Sequence, residues 1–119
     1  MKMMTLSGAL MAVTLLAGCA PKAPKTIYYW GDYQEQVWHF YQQGGDPMKQ
    51  IDALNLDVEK ARAAAQPVPP GLHAQLGLLY ARTGDTGKAF TQFATEKQLF
   101  PEAAPYMDFL MSKKQGVVQ

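Results

Sequence analysis

From Tyr33 to Leu110 apolar residues recur at spacings of three and four, the period of helices buried along one side. Asp32 is placed to cap a first helix, with Glu35 three residues on as the second half of a capping box, and Gly44-Gly45 stops that helix after about Gln43. Tyr33, Gln36, Val37, Phe40 and Tyr41 share its inner side, with Trp38 at the edge. Asp46 followed by Pro47 opens a second helix whose inner stripe is Met48, Ile51, Leu54 (or Asn55) and Val58, and which reaches Ala65. Prolines 67, 69 and 70 break the chain before a third helix from Gly71 to Thr83, and Gly84-Asp85 turns into a fourth from Thr86 or Gly87 to Leu99. Phe100-Pro101 ends the fourth, and a short last helix from Pro105 through Met111 brings Tyr106, Phe109 and Leu110 to the core. No segment alternates with the period of a strand. The pattern predicts an all-α fold of four helices plus a short C-terminal capping helix, arranged as hairpins of a short α-solenoid.

The first residues follow a different pattern. Lys2 precedes an apolar run from Leu6 through Leu16 that holds no acidic residue and is too short to span a bilayer, which takes roughly 20 apolar residues. Leu16-Ala17-Gly18-Cys19 closes it, and this tetrad resembles the bacterial lipobox. The resemblance implies a signal peptide over residues 1–18 and acylation of Cys19, with about three chains making the attachment permanent. Ala20 stands where an aspartate is associated with inner-membrane retention, which implies the inner leaflet of the outer membrane with the domain in the periplasm. Residues 19–27, with Pro21 and Pro24, read as the lipidated cysteine and an extended tether, residues 28–113 as the domain, and 114–119 as a flexible tail.

Composition narrows the function classes. Without Lys2 the basic residues number ten, equal to the acidic ones, and neither sign clusters. Nothing in that balance suits nucleic acid, or electrostatic capture by anionic lipid. Cys19 is the only cysteine, so neither a disulfide within the chain nor a cysteine metal site can form. More than half of the aromatic residues lie between Tyr28 and Tyr41.

The third and fourth helices resemble one tetratricopeptide repeat over residues 70–103, with Leu76-Gly77, Tyr80, Gly84, Ala89, Phe93 and Pro101 in register. Small Gly77 and Ala89 fall where two helices cross closely, and Leu76, Tyr80 and Phe93 fill the crossing. His73 stands at a usually bulky position and Glu96 at a usually small one. The first two helices form a hairpin of similar length without the signature. Beyond the repeat, Tyr29-Trp30-Gly31-Asp32-Tyr33, Pro67-Val68-Pro69-Pro70-Gly71, His73, Leu76 to Tyr80, Phe100-Pro101-Glu102 and Met107 to Leu110 resemble a family of small bacterial lipoproteins of unknown function. That resemblance covers nearly all of residues 28–113 and implies an envelope assembly with a curli-secretion-pore-like lipoprotein and a second small lipoprotein.

Candidate chemistry is sparse. His73 reads as a packed or hydrogen-bonded histidine, and His39 has only Glu35 within a helical turn, two groups where a useful metal site converges three or four. Asp52, Asp57 and Glu59 read as the solvated side of the second helix. The serines, Ser7 and Ser112, sit in no nucleophile motif, and the glycines at 44–45 and 84–87 lack the lysine and hydroxyl of a phosphate loop. The reading is a non-enzyme without metal or cofactor that binds an envelope protein. Its candidate surfaces are the third-helix face with Ala74, Gln75, Leu78, Ala81 and Arg82, and the segment holding Tyr29 and Trp30. Arg82 either pairs with a partner's carboxylate or is a solvated cation at a helix end. A structural envelope subunit, a small-ligand carrier and a metal-dependent enzyme using His39 or His73 are the alternatives.

Overall fold

The computed structural model describes residues 26–112; the leader, Cys19, most of the tether and the tail lie outside them. The elements are α1 (Tyr33–Tyr41), α2 (Pro47–Ala63), α3 (Leu72–Arg82), α4 (Thr86–Leu99), a 3₁₀ turn (Pro101–Ala103) and α5 (Ala104–Ser112), and no strand occurs among the described residues. The fold is all-α, as the apolar period predicts. Asp46 caps α2 by accepting the Met48 N–H at 2.9 Å, and Asp85 caps α4 by accepting the Lys88 N–H at 3.1 Å.

Two helix starts receive no cap from the side chain of their own flanking residue. Asp32 makes no side-chain cap bond; Glu35 instead faces His39 at 3.5 Å, and the Asp32 N–H goes to Asp57 Oδ2 at 2.8 Å. At α3 the capping position is Gly71, whose φ of 98° suits glycine and which has no side chain to offer. The cap comes from another helix: Glu96 of α4 accepts the Gly71 N–H at 2.6 Å and the Ala74 N–H at 3.2 Å. The first and second helices also end earlier than their patterns suggest, at Tyr41 and Ala63, because Gln43 and Ala65 turn to positive φ.

Contacts fix the directions. Tyr33 at the start of α1 lies against Gly71, and Phe40 near its end meets Arg82 at the end of α3, so α1 and α3 run parallel. Helix α4 returns antiparallel to α3, since Glu96 comes back to Gly71. One end of the bundle therefore gathers Tyr28, Tyr33, Pro67, Gly71 and Phe100, and the opposite end holds Tyr41 and Arg82. Ile51, Leu54, Leu72, Leu76 and Leu79 form a first core with half-buried Tyr29, Tyr33 and Phe40 against it. Ala89, Phe93, Met107 and Leu110 form a second, covered by Ala74, Leu78 and Ala81 of α3. Gly77 joins α3 to α4: a Cβ there would overlap the Phe93 ring, so the backbone itself is the packing surface.

Four apolar residues assigned inward by periodicity are exposed: Tyr41, Met48, Tyr106 and Phe109. Helix α5 ends the bundle and packs on one side, which Met107 and Leu110 fill, leaving Tyr106 and Phe109 to stack on each other at 6.5 Å. In the first turn of α2 the buried place goes to Gln50, whose amide donates to the Gly44 carbonyl at 3.1 Å.

Candidate functional site

At the end where the chain enters, the aromatic segment is built into the fold. The Tyr29 N–H donates to the Pro67 carbonyl at 2.8 Å, Trp30 stacks on Tyr33 at 6.2 Å, and both Tyr29 and Trp30 are half-buried. Gly31, at φ 45°, passes directly over Asp57, where a Cβ would overlap the carboxylate. Asp57, expected in solvent, is 2 % exposed because this crossing covers it. Burial pushes its carboxyl above the usual range; the Asp32 N–H and Lys60 act the other way, and the Asp32 charge adds to the rise. Burial also raises the Tyr33 phenol, assisted by the Glu96 and Tyr41 charges.

The raised value gives Asp57 a signed effect on stability. A proton held more tightly in the folded than in the unfolded state stabilises below the ordinary aspartate value, and that contribution is lost as pH rises through the native value. Asp57→Asn keeps an oxygen for the Asp32 N–H and cannot ionise. In melting curves between about pH 3 and pH 7 its Tm is expected to gain on the parent's as pH rises. A difference that stays constant or shrinks would contradict the burial assigned to Asp57.

At the opposite end an exposed surface takes shape. The Arg82 guanidinium lies 3.8 Å over the centroid of the Phe40 ring, and the Tyr41 ring meets Phe40 edge-on at 5.4 Å. Arg82 and Tyr41 are exposed and Phe40 is half-buried. Leu78, one turn before Arg82, is half-buried against the second core. Gln75, expected on the same face, is 4 % exposed and does not reach it, because it turns inward beside Leu72 and Leu79. Ala74 and Ala81 are covered with Leu78. Of the five α3 residues expected to meet a partner, then, Arg82 alone is exposed. The structure adds Phe40 and Tyr41, which the sequence pattern had assigned to packing.

Three cations of the other helices take a different arrangement. Arg62 pairs with Glu59, Lys88 with Asp85 and Lys97 with Asp108, whereas Arg82, like Lys49 and Lys60, makes no ion pair among the described residues and rests on an aromatic face at 3.8 Å, closer than Lys88 to Tyr80 at 5.6 Å. An arginine held by its face keeps the planar edge of N–H donors for a second group.

Each histidine has one polar side chain beside it. His73 Nδ1 lies 2.7 Å from Gln92 Oε1, and His39 is exposed beside Glu35. Among the described residues no three His, Cys, Asp or Glu converge as metal ligands, and no helix is long and apolar enough to cross a membrane.

Compared with known proteins, residues 27–110 match the model of a family described as a domain of unknown function (DUF4810). No curated protein and no solved structure matches the chain.

Proposed function

The chain belongs to the DUF4810 family, a domain of unknown function, and we propose that it is a lipid-anchored adaptor of the bacterial envelope, acylated at Cys19 and binding another envelope protein through the Arg82 end of its helical bundle. The observation that carries this reading is the Arg82 guanidinium lying flat on Phe40 at 3.8 Å with exposed Tyr41 alongside. The stacked arginine offers an oriented edge to a carboxylate, and the two aromatic rings supply apolar area around it.

We read α3 and α4 as a tetratricopeptide-like unit and α1 and α2 as a degenerate unit before it. The close approach of Gly77 to Phe93 and the parallel course of α1 and α3 support that reading. In such a solenoid the first helices of successive pairs share one face, which is where Phe40, Tyr41 and Arg82 meet. The lipobox-like Leu16-Ala17-Gly18-Cys19 supports an anchor on the inner leaflet of the outer membrane. The candidate partners are those the sequence resemblance implies, a curli-secretion-pore-like lipoprotein and a second small lipoprotein. Anchoring also bears on mechanism: two proteins confined to one membrane meet at raised effective concentration, so one modest surface suffices.

Photocrosslinking in cells tests this. A photoreactive residue at Tyr41 is expected to capture an envelope protein, while the same probe at exposed Thr91 on α4 captures none. Equal capture from both positions, or none from Tyr41, would count against the adaptor.

A further inference from the structure

We propose that the end of the domain opposite Arg82 docks into the interfacial layer of the bilayer through an apolar rim of Ile27, Tyr28, Leu99 and Phe100. This rests on the reading of Cys19 as the lipid anchor and adds a second membrane contact made by the folded domain itself.

Two of the four rim side chains, Ile27 and Leu99, are exposed, Tyr28 and Phe100 are half-buried, and none of the four carries a charge. Ile27 is 76 % and Leu99 50 % exposed, although both are aliphatic. Between them the Tyr28 and Phe100 rings meet edge-on at 6.2 Å, so two distant stretches of chain close into one corner. The nearest cation of α4, Lys97, is held by Asp108 at 2.7 Å. Side chains of this kind, an aliphatic pair beside a tyrosine, suit the boundary between headgroups and acyl chains.

The position of this corner favours lipid over protein as its occupant. The chain enters the fold here, held by the Tyr29 N–H to Pro67 at 2.8 Å and by the Gln66 side-chain amide to the Thr26 carbonyl at 3.4 Å. Seven residue steps separate Cys19 from Thr26, at most about 25 Å when fully extended. An acylated Cys19 sits at the membrane surface, so the rim is the part of the domain that the tether keeps closest to it. Helix α3 then carries Arg82 away from the corner along 11 residues, about 16 Å of helix. One end of the bundle is left to the membrane and the other to a partner.

The test uses the full acylated chain in vesicles of phosphatidylethanolamine and phosphatidylglycerol. Acylation blocks the thiol of Cys19, the only cysteine, so a cysteine introduced by Ile27→Cys, Leu99→Cys or Thr91→Cys takes a polarity-sensitive fluorophore alone. Labels at 27 and 99 are expected to report an apolar setting and to be quenched several-fold more strongly by spin-labelled lipid than the label at 91. Because the rim is uncharged, raised salt should leave that difference unchanged. Flotation of the vesicles separates the two ways of failing. Protein that does not float overturns the anchor and the docking together. If it floats with labels 27 and 99 as water-exposed as 91, or with those labels shielded by a bound protein instead of lipid, the anchor stands and the docking is overturned.

Discussion

Replacing Phe93 by alanine is expected to remove about 3–5 kcal/mol of unfolding free energy, a large part of the roughly 5–15 kcal/mol available to a domain of this size. The side chain is 1 % exposed and joins Ala89, Met107 and Leu110 in the second core. It also lies on the Gly77 backbone, so its removal opens a space that two helices border and neither can close alone. Gly77→Ala is the complementary change. A Cβ improves helix propensity by about 1 kcal/mol but overlaps the ring, and overpacking of this kind costs about 1–3 kcal/mol. Placing Gly77→Ala in a Phe93→Leu background should relieve that cost, so the two changes should couple in a double-mutant cycle followed by urea unfolding. Strict additivity would show that the close crossing of α3 and α4 is not what Gly77 serves.

The second large effect is expected at Glu96. Its carboxylate is 2 % exposed and accepts two N–H groups at the start of α3, where Gly71 supplies no cap of its own. Glu96→Ala leaves those donors unpaired and takes a negative charge from the positive end of the helix dipole, a loss of about 2–4 kcal/mol. Glu96→Gln keeps one acceptor oxygen and should fall between alanine and the parent. A spectroscopic sign accompanies it: because the Glu96 charge contributes to the raised Tyr33 phenol, Glu96→Gln should lower the pH at which Tyr33 ionises in an ultraviolet titration. A Glu96→Gln protein with parental stability and an unshifted Tyr33 would place Glu96 outside the cap.

These two positions also mark where the sequence could be read and where it could not. The Asp46 and Asp85 caps act within three residues of themselves, and the stripe through Leu72, Leu76 and Leu79 follows one helical period, so both are visible in a short window. Asp57 and Glu96 look like solvated helix residues in such a window. Their partners, the Asp32 and Gly71 N–H groups, lie 25 residues away and come near only once the hairpins have packed. Tyr106 and Phe109 mislead for the opposite reason, since their spacing is helical but the last helix has a single neighbouring layer. The Arg82 surface combines both effects. Arg82 itself follows from its place on the third helix, while Phe40 and Tyr41 are indistinguishable from core aromatics until α1 is seen to run parallel to α3.

Arg82→Glu reverses the charge at the centre of the proposed partner surface without touching the core, so its effect on capture from Tyr41 is the most direct measurement. In cells producing the acylated chain, the Tyr41 adduct is expected to fall at least about tenfold while the melting temperature stays close to the parent's. An adduct that persists undiminished in the Arg82→Glu chain would contradict recognition through this surface.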